Sequence, residues 1–252
     1  MSDKRKLVAV LACRNNGSRL YAKPLQNLDA NDGTKVIDNI INCLKNLPSI
    51  SAVILAISNR IENYIFEEIA ELHNLIYVKG DDTDVLQRLI LAGQKGSATD
   101  IFRVTSESPF VNYNYIEKAW NEHLNSMNDA TFLDDVVDGT GFEILTLQSL
   151  KRSHSEGDSK HKSELCSLFI RENPNIFKTA KVNFDSALTR PDLRLTVDYP
   201  EDLIVCREVY SEFKNKAPFI EIGEIIWYLD KNPYLIKLIS RFTEQGYSKM
   251  YI

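Results

Sequence analysis

The 252-residue chain has only four cysteines, Cys13, Cys43, Cys166 and Cys206, widely scattered and without a C-x-x-C pair. This spacing predicts neither a zinc site nor a disulfide framework, and the four read as reduced, mostly buried residues of a cytoplasmic protein. An excess of positive charge is also missing. Thirty Lys and Arg stand against 35 Asp and Glu, a formal net charge of −5, which argues against a nucleic-acid partner. No apolar run approaches the roughly 20 residues that span a bilayer, so no membrane partner is expected. The opening Met-Ser-Asp-Lys-Arg-Lys is charged but runs straight into an apolar segment with no cleavage site, so it does not read as a secretory signal. Internal repeats and low-complexity linkers are absent, and the length suits one α/β domain over residues 1–252. The histidines are few: His73, His123, His154 and His161 fall on predicted helices or charged loops and read as surface residues. No Ser-His-Asp arrangement is suggested.

What is present is a regular alternation. An apolar run at 7–13 has the length of a buried parallel strand, and a helix follows at 36–47, with Val36, Ile37, Ile40, Ile41 and Leu44 on one face and Pro48 beyond its end. Strands at 52–57, 75–78 and 100–105 alternate with helices at 60–72, 84–93 and 114–124, the pattern of parallel βαβ units. The regularity breaks after residue 125. Strands are expected at 130–133 and 142–147, joined by a hairpin-like connection over 134–141, then a charged and mainly helical stretch at 149–173. Further strands are expected at 176–182 and 193–197. A helix at 200–213 carries Pro in its first turn and Glu201 and Asp202 near its positive end, and a helical tail covers 220–229 and 234–242. The reading is a Rossmann-like α/β domain with a mixed, mostly parallel sheet and an inserted arm at about 134–192. Phe142, Ile144 and Leu145 in that arm suggest a dimer surface.

The most informative stretch follows the first strand. Asn15-Asn16-Gly17 stops the strand, and Arg14, Arg19 and Lys23 follow with no Asp or Glu between Arg14 and Lys23. Ligands of open α/β sheets bind at this carboxyl edge. A loop carrying cations beside Gly17 and Ser18 suits a triphosphate, because backbone N–H groups and side-chain cations approach its oxygens together. Taken alone, a solvated basic loop remains the alternative.

R-x-x-x-S-R-L-x-x-K-P-L, at residues 14–25, resembles the nucleotide-binding signature of the sugar cytidylyltransferases, in particular the spore-coat polysaccharide (SpsF-like) group and the enzymes that activate 3-deoxy-octulosonic acid. The family's Pro-Gly before the lysine is Tyr21-Ala22 here. Further segments are similar in the same order: GDDTDVLQRLILAG (80–93), RVTSESPFVN (103–112), DGTGFEILTLQSL (138–150) and LRLTVDYPEDL (193–203), the last matching the family's LRLTVDTPEDL. The likeness runs across residues 7–213. It implies a nucleotidyltransferase (GT-A-like) fold and transfer of CMP from CTP to a sugar, giving a CMP-sugar and pyrophosphate, with Mg2+ as cofactor and a homodimeric habit.

The resemblance also implies roles. Nucleotide binding falls to Ala12, Arg14, Asn15, Gly17, Ser18, Arg19, Lys23, Asp84, Gln87, Arg88 and Ser106, with Arg14, Lys23 and Asp198 as the catalytic set. The sugar acceptor falls to Gly141, Glu143 and Glu164. Arg103 stands where the family also has Arg, as functional group or as structural ion pair. The metal falls to Asp198, which could instead cap the helix that follows, and to Glu107, which stands where the family has aspartate. The extra methylene at Glu107 leaves three outcomes: ligation with an adjusted backbone, ligation through water, or lost metal binding. Gln87 replaces a frequent acid, and Leu165 replaces the histidine of the family's Glu-His. Two other readings stay open: a catalytically weakened nucleotide-binding homologue, and a transferase using another nucleoside triphosphate or a sugar-1-phosphate acceptor.

Overall fold

The computed structural model describes residues 5–247; residues 1–4 of the charged N-terminus lie outside them. The strands are β1 (Leu7–Cys13), β2 (Ala52–Ser58), β3 (Ile76–Gly80), β4 (Asp100–Thr105), β5 (Ala130–Leu133), β6 (Phe142–Thr146) and β7 (Thr179–Lys181). Between and after them come α1 (Val36–Lys45), α2 (Ile65–Leu72), α3 (Val85–Lys95), α4 (Ile116–Ser126), α5 (Leu147–Glu156), α6 (Leu168–Glu172), α7 (Pro200–Phe213), α8 (Ile222–Lys231) and α9 (Pro233–Tyr247). The strands form a seven-stranded sheet in the order β3-β2-β1-β4-β6-β5-β7. β1 lies in the interior of the sheet, as its run LVAVLAC, buried at every position but one, requires: such a sequence is hidden when both faces of a strand are covered. It pairs in parallel with β2 and β4, while β6 enters antiparallel between β4 and β5.

The period-two alternation divides β1 between two core layers. Leu7, Ala9, Leu11 and Cys13 pack with apolar residues of α1, α2, α4 and α7 to α9; Val8 and Val10 pack with α3, α5 and α6. The expected helix at 60–72 is divided: a 3-10 turn at Ile61–Asn63 precedes α2 and turns the Asn63 side chain inward. The expected helical stretch at 149–173 is likewise split into α5, a 3-10 turn at Ser159–Lys162 and α6.

Three other expectations are corrected. The segment 193–197 is no strand of the sheet: Leu195 N–H donates to Asp138 O at 2.7 Å and Val197 N–H to Glu107 O at 3.0 Å, so it bonds to two different loops and forms only a single bridge, Asp138 to Arg194. Phe142, Ile144 and Leu145 are 3%, 0% and 0% exposed. They are interior residues of β6, within the stretch read as an arm, and offer no outer surface. His123 and His161 are buried, not surface, residues. His123 is held between Asp100 and Thr131, and His161 between Asp158 and Glu172. The four cysteines are buried and free, and among the described residues no helix is long and apolar enough to cross a membrane.

Candidate active site

The loop after β1 is shaped by its own backbone. Asn15 N–H donates to the buried Asn63 Oδ1 at 2.7 Å, and Ala22 N–H closes the loop on Asn15 O at 2.8 Å. Ala22 has φ 51°, in the left-handed region. The family pattern has glycine at this position, and an L residue there costs about 1–2 kcal/mol. Pro24 then enters a 3-10 turn at Lys23–Leu25. Gly17 is required by contact: a Cβ there would lie 2.6 Å from Leu20 O and 3.2 Å from Lys23 Cε. The loop therefore folds back on itself and turns its cations toward the end of the sheet.

Those cations are not unpaired, as the local sequence suggested. Arg19 Nη2 lies 3.0 Å from Asp198 Oδ1, and Lys23 Nζ bonds the same oxygen. Arg14 Nη2 lies 2.8 Å from Glu164 Oε2 at an exposed position. The counter-charges come from residues more than a hundred positions away, so no local window contains them. Burial pushes the Asp198 carboxyl up, but Lys23, Arg19 and Arg194 together hold it below its usual value.

Asp198 is free for this role because another acid does the capping. Asp202 Oδ2 accepts the N–H groups of Asp198 (3.0 Å) and Tyr199 (2.9 Å) at the start of α7. Behind them lies Arg194, 2% exposed, with Asp138 at 2.7 Å, Asp198 at 3.0 Å and Asp202 at 3.3 Å. One guanidinium thus serves three carboxylates. Asp138 is left with one buried oxygen without a partner. Burial, opposed by Arg194 and reinforced by Asp198 and Asp202, pushes its pKa up to about 6.

The Val197 N–H bond to Glu107 O brings the second expected metal ligand alongside Asp198. The Glu107 carboxyl is raised above its ordinary value, first by burial and further by Asp198, against the pull of Lys23. Two carboxylates on adjoining backbone, one of them raised by the charge of the other, suit a divalent cation. Two carboxylate donors match the preference of magnesium, which takes one or two carboxylates and completes its shell with water and phosphate oxygens; among the described residues no group of three or more His, Cys, Asp or Glu could hold a metal. Ser106 Oγ, below them, donates to Ala12 O at 2.8 Å.

The other expected residues have partners of their own. Asp84 Oδ1 caps α3 through Gln87 N–H (2.8 Å), while its other oxygen meets His154 Nε2 at 2.7 Å; Gln87 itself is exposed. Arg88, 1% exposed, donates to Cys13 O at 3.2 Å and Ala56 O at 2.9 Å, tying the ends of β1 and β2 together from behind the loop. Ser18 is exposed on the loop. Glu143 does not offer its carboxylate to a ligand: it is 5% exposed and committed to Arg103, Arg171 and Ser167, because the β4–β6 register sets it opposite Arg103. Arg103 is accordingly an ion-pair residue, and its Nη2 also donates to Glu164 O at 2.7 Å. Gly141 permits the close approach of β5, since a Cβ there would lie 2.5 Å from Leu133 O.

Arg194, Asn63, Asp138 and Tyr199 were missed. Arg194 had a signal: a basic residue amid the acids of 192–202 next to an expected metal ligand. Asn63 had none.

The family model described as cytidylyltransferase matches residues 8–231. The chain is 25% identical over 246 residues to an uncharacterized protein of Methanocaldococcus jannaschii, a match covering 97% of this chain and 99% of that one. It is 21% identical over 232 residues to the spore coat polysaccharide biosynthesis protein SpsF of Bacillus subtilis, covering 90% and 95%. Among solved structures it is similar to a cytidylyltransferase from Leptospira borgpetersenii (TM-score 0.83, 20% identity, 92% of this chain and 97% of that one). It is also similar to a CMP:2-keto-3-deoxy-manno-octonic acid synthetase complexed with CTP (TM-score 0.59, 13% identity, 82% and 99%). With a mixed, mostly parallel sheet, a basic loop at its carboxyl edge and a family match over nearly its whole length, the chain is a nucleotidyltransferase enzyme that belongs to the cytidylyltransferase family.

Proposed function

We propose that this enzyme transfers CMP from CTP to a sugar, of the keto-acid kind, and that the CMP-sugar serves surface polysaccharide or glycoconjugate synthesis. The observation that carries the reading is the convergence of Arg19, Lys23, Asp198 and Glu107 at the end of β1 and β4. The SpsF likeness and the CTP-bound relative support the base and the sugar class.

In the reaction an oxygen of the sugar attacks the α-phosphorus. The bond from that phosphorus to the bridging oxygen breaks, pyrophosphate leaves with the electron pair, and the proton of the attacking hydroxyl passes to solvent. Negative charge builds on oxygens that already repel one another, so fixed cations aimed at them lower the barrier. Arg14, Arg19 and Lys23 are those cations, with Ser18 and the backbone of Gly17 completing the cradle, while Asn15, bonded to Asn63 and Ala22, sets the loop's shape. Ala12, Ser106, Asp84 and Gln87 border the nucleoside, and Glu164 faces the acceptor side through its exposed pair with Arg14. Without ligand, Asp198 neutralises Lys23 and Arg19; a triphosphate competes for both, and their transfer to phosphate oxygens frees Asp198 Oδ1. Glu107 and Asp198 would hold magnesium, which neutralises phosphate charge and lowers the pKa of the attacking hydroxyl. Arg194 keeps the other Asp198 oxygen in place throughout.

Magnesium-dependent release of pyrophosphate, measured with each of the four nucleoside triphosphates against a panel of keto-acid sugars and sugar 1-phosphates, tests this. Release with CTP and a keto-acid sugar is expected. Release only with another base or a sugar 1-phosphate would overturn the substrate assignment. CTP binding without release on any acceptor would identify a binding protein that has kept the fold.

A further inference from the structure

The family pattern places threonine at the position held here by Tyr199. The larger side chain has two neighbours. The Arg19 guanidinium carbon lies 5.0 Å from the centroid of its ring, on the cation–π side, while Asp198 holds the same guanidinium by charge. The Phe242 ring stacks on Tyr199 at a centroid distance of 3.9 Å and an interplanar angle of 14°. Phe242 is 8% exposed and belongs to α9, which begins at residue 233, beyond the family-model match that ends at residue 231. Arg241, its neighbour, pairs with Glu201 in the first turn of α7. The helix α9 is thus anchored on α7 at the point where α7 leaves Asp198, and it supplies the ring that backs Tyr199.

An arginine on a loop searches many rotamers, and each one lost on binding reduces affinity. A guanidinium held between an aromatic face and a carboxylate has already lost most of them. We infer that Tyr199, backed by Phe242, is a positioning residue that holds Arg19 at the mouth of the nucleotide site, and that α9 belongs to the framework of that site. The inference rests on the assignment of Arg19 to the triphosphate. Tyr199 acts through Arg19 and has no contact with the reacting atoms.

The test is a double-mutant cycle on the full chain, read by calorimetric titration of CTP with magnesium, with circular dichroism and melting to confirm folding. Arg19→Ala weakens CTP by about tenfold or more, as loss of a charge-assisted bond does. Tyr199→Ala and Phe242→Ala each weaken it about two- to fivefold, the worth of a half-exposed cation–π contact. Tyr199→Phe, which keeps the ring but loses the hydroxyl that also meets Arg19, falls between wild type and Tyr199→Ala. In the Arg19→Ala background Tyr199→Ala has no further effect. Wild-type affinity in Tyr199→Ala, or the same loss with and without Arg19, would overturn the inference. Unchanged affinity in Arg19→Ala would instead overturn the assignment of the loop to the triphosphate. Should Tyr199→Ala not fold, Phe242→Leu removes the backing ring while keeping apolar volume, and it carries the same expected loss and the same contrary result.

Discussion

Replacing Glu143 by Gln removes one negative charge from a buried position held by Arg103 at 2.7 Å and Arg171 at 2.9 Å, with the Ser167 hydroxyl on the same oxygen as Arg171. The amide keeps the shape but directs an N–H group at one of the guanidinium groups. Breaking a buried pair from one side costs about 3–5 kcal/mol, since the partner charges stay desolvated. The protonation equilibrium gives a similar figure. Burial pushes the Glu143 carboxyl up, but the two arginines and the Ser167 hydroxyl hold it at about 2, against an ordinary 4.5. At ~1.4 kcal/mol for each unit, the charged form contributes about 3 kcal/mol. Because the folded pKa is depressed, this stability is complete above the unfolded pKa and is lost as the pH falls through the folded one. Glu143→Gln should therefore lower Tm by about 6–20 °C at pH 7, taking ~2–4 °C for each kcal/mol in a chain of this size. The gap to wild type should close as the pH falls from about 4 toward 2. Urea unfolding and calorimetry at pH 7 and pH 3 measure both. A variant as stable as wild type at pH 7, with only the acceptor KM raised, would refute the structural role and return Glu143 to the acceptor pocket.

Lys23→Ala should weaken CTP more than about tenfold by calorimetry, the worth of one charge-assisted bond, even though the lysine is paired with Asp198 before the nucleotide arrives. Asp198→Asn should nearly abolish turnover while CTP affinity falls far less and the protein stays folded, because the lost group acts on the reacting centre. Glu107→Asp should lower activity and raise the magnesium concentration needed for half-maximal rate, since the backbone bond from Val197 fixes where the shorter acid starts and it cannot reach as far; a gain of activity would mark Glu107 as a decayed ligand. Arg194→Leu should destabilise the fold at pH 7 by about 3–5 kcal/mol, leaving Asp138 and Asp202 buried without their cation while Asp198 keeps Lys23 and Arg19, and acidification from pH 7 toward 5 should restore part of that loss in a denaturant titration.

The sheet was legible wherever the chain alternates. β1, β2 and β4 lie where the apolar runs placed them, and α7 spans the expected residues, because burial on both faces and a proline in the first turn leave local marks. What the sequence hid depends on distant partners. The extended segment before Asp198 has the composition of a strand, yet its N–H groups go to Asp138 and Glu107 in turn, a choice only the assembled fold defines. The loop cations looked unpaired because Asp198 and Glu164 are far along the chain. Glu143 looked available for the same reason: both of its arginine partners are remote in sequence. His123 looked solvated on an amphipathic helix, but Asp100 satisfies it inside. Motif position was a good guide to which residues gather at the sheet end, and a poor guide to which of them remain free to meet a ligand.

The most direct test of the site is a crystal structure of the full chain with CTP and Mn2+, the metal located by its anomalous signal. The expected result is a metal peak between the carboxylates of Glu107 and Asp198, with Lys23 and Arg19 moved from Asp198 Oδ1 onto triphosphate oxygens. A nucleotide bound away from the loop at residues 14–23, or a metal touching neither carboxylate, would contradict it.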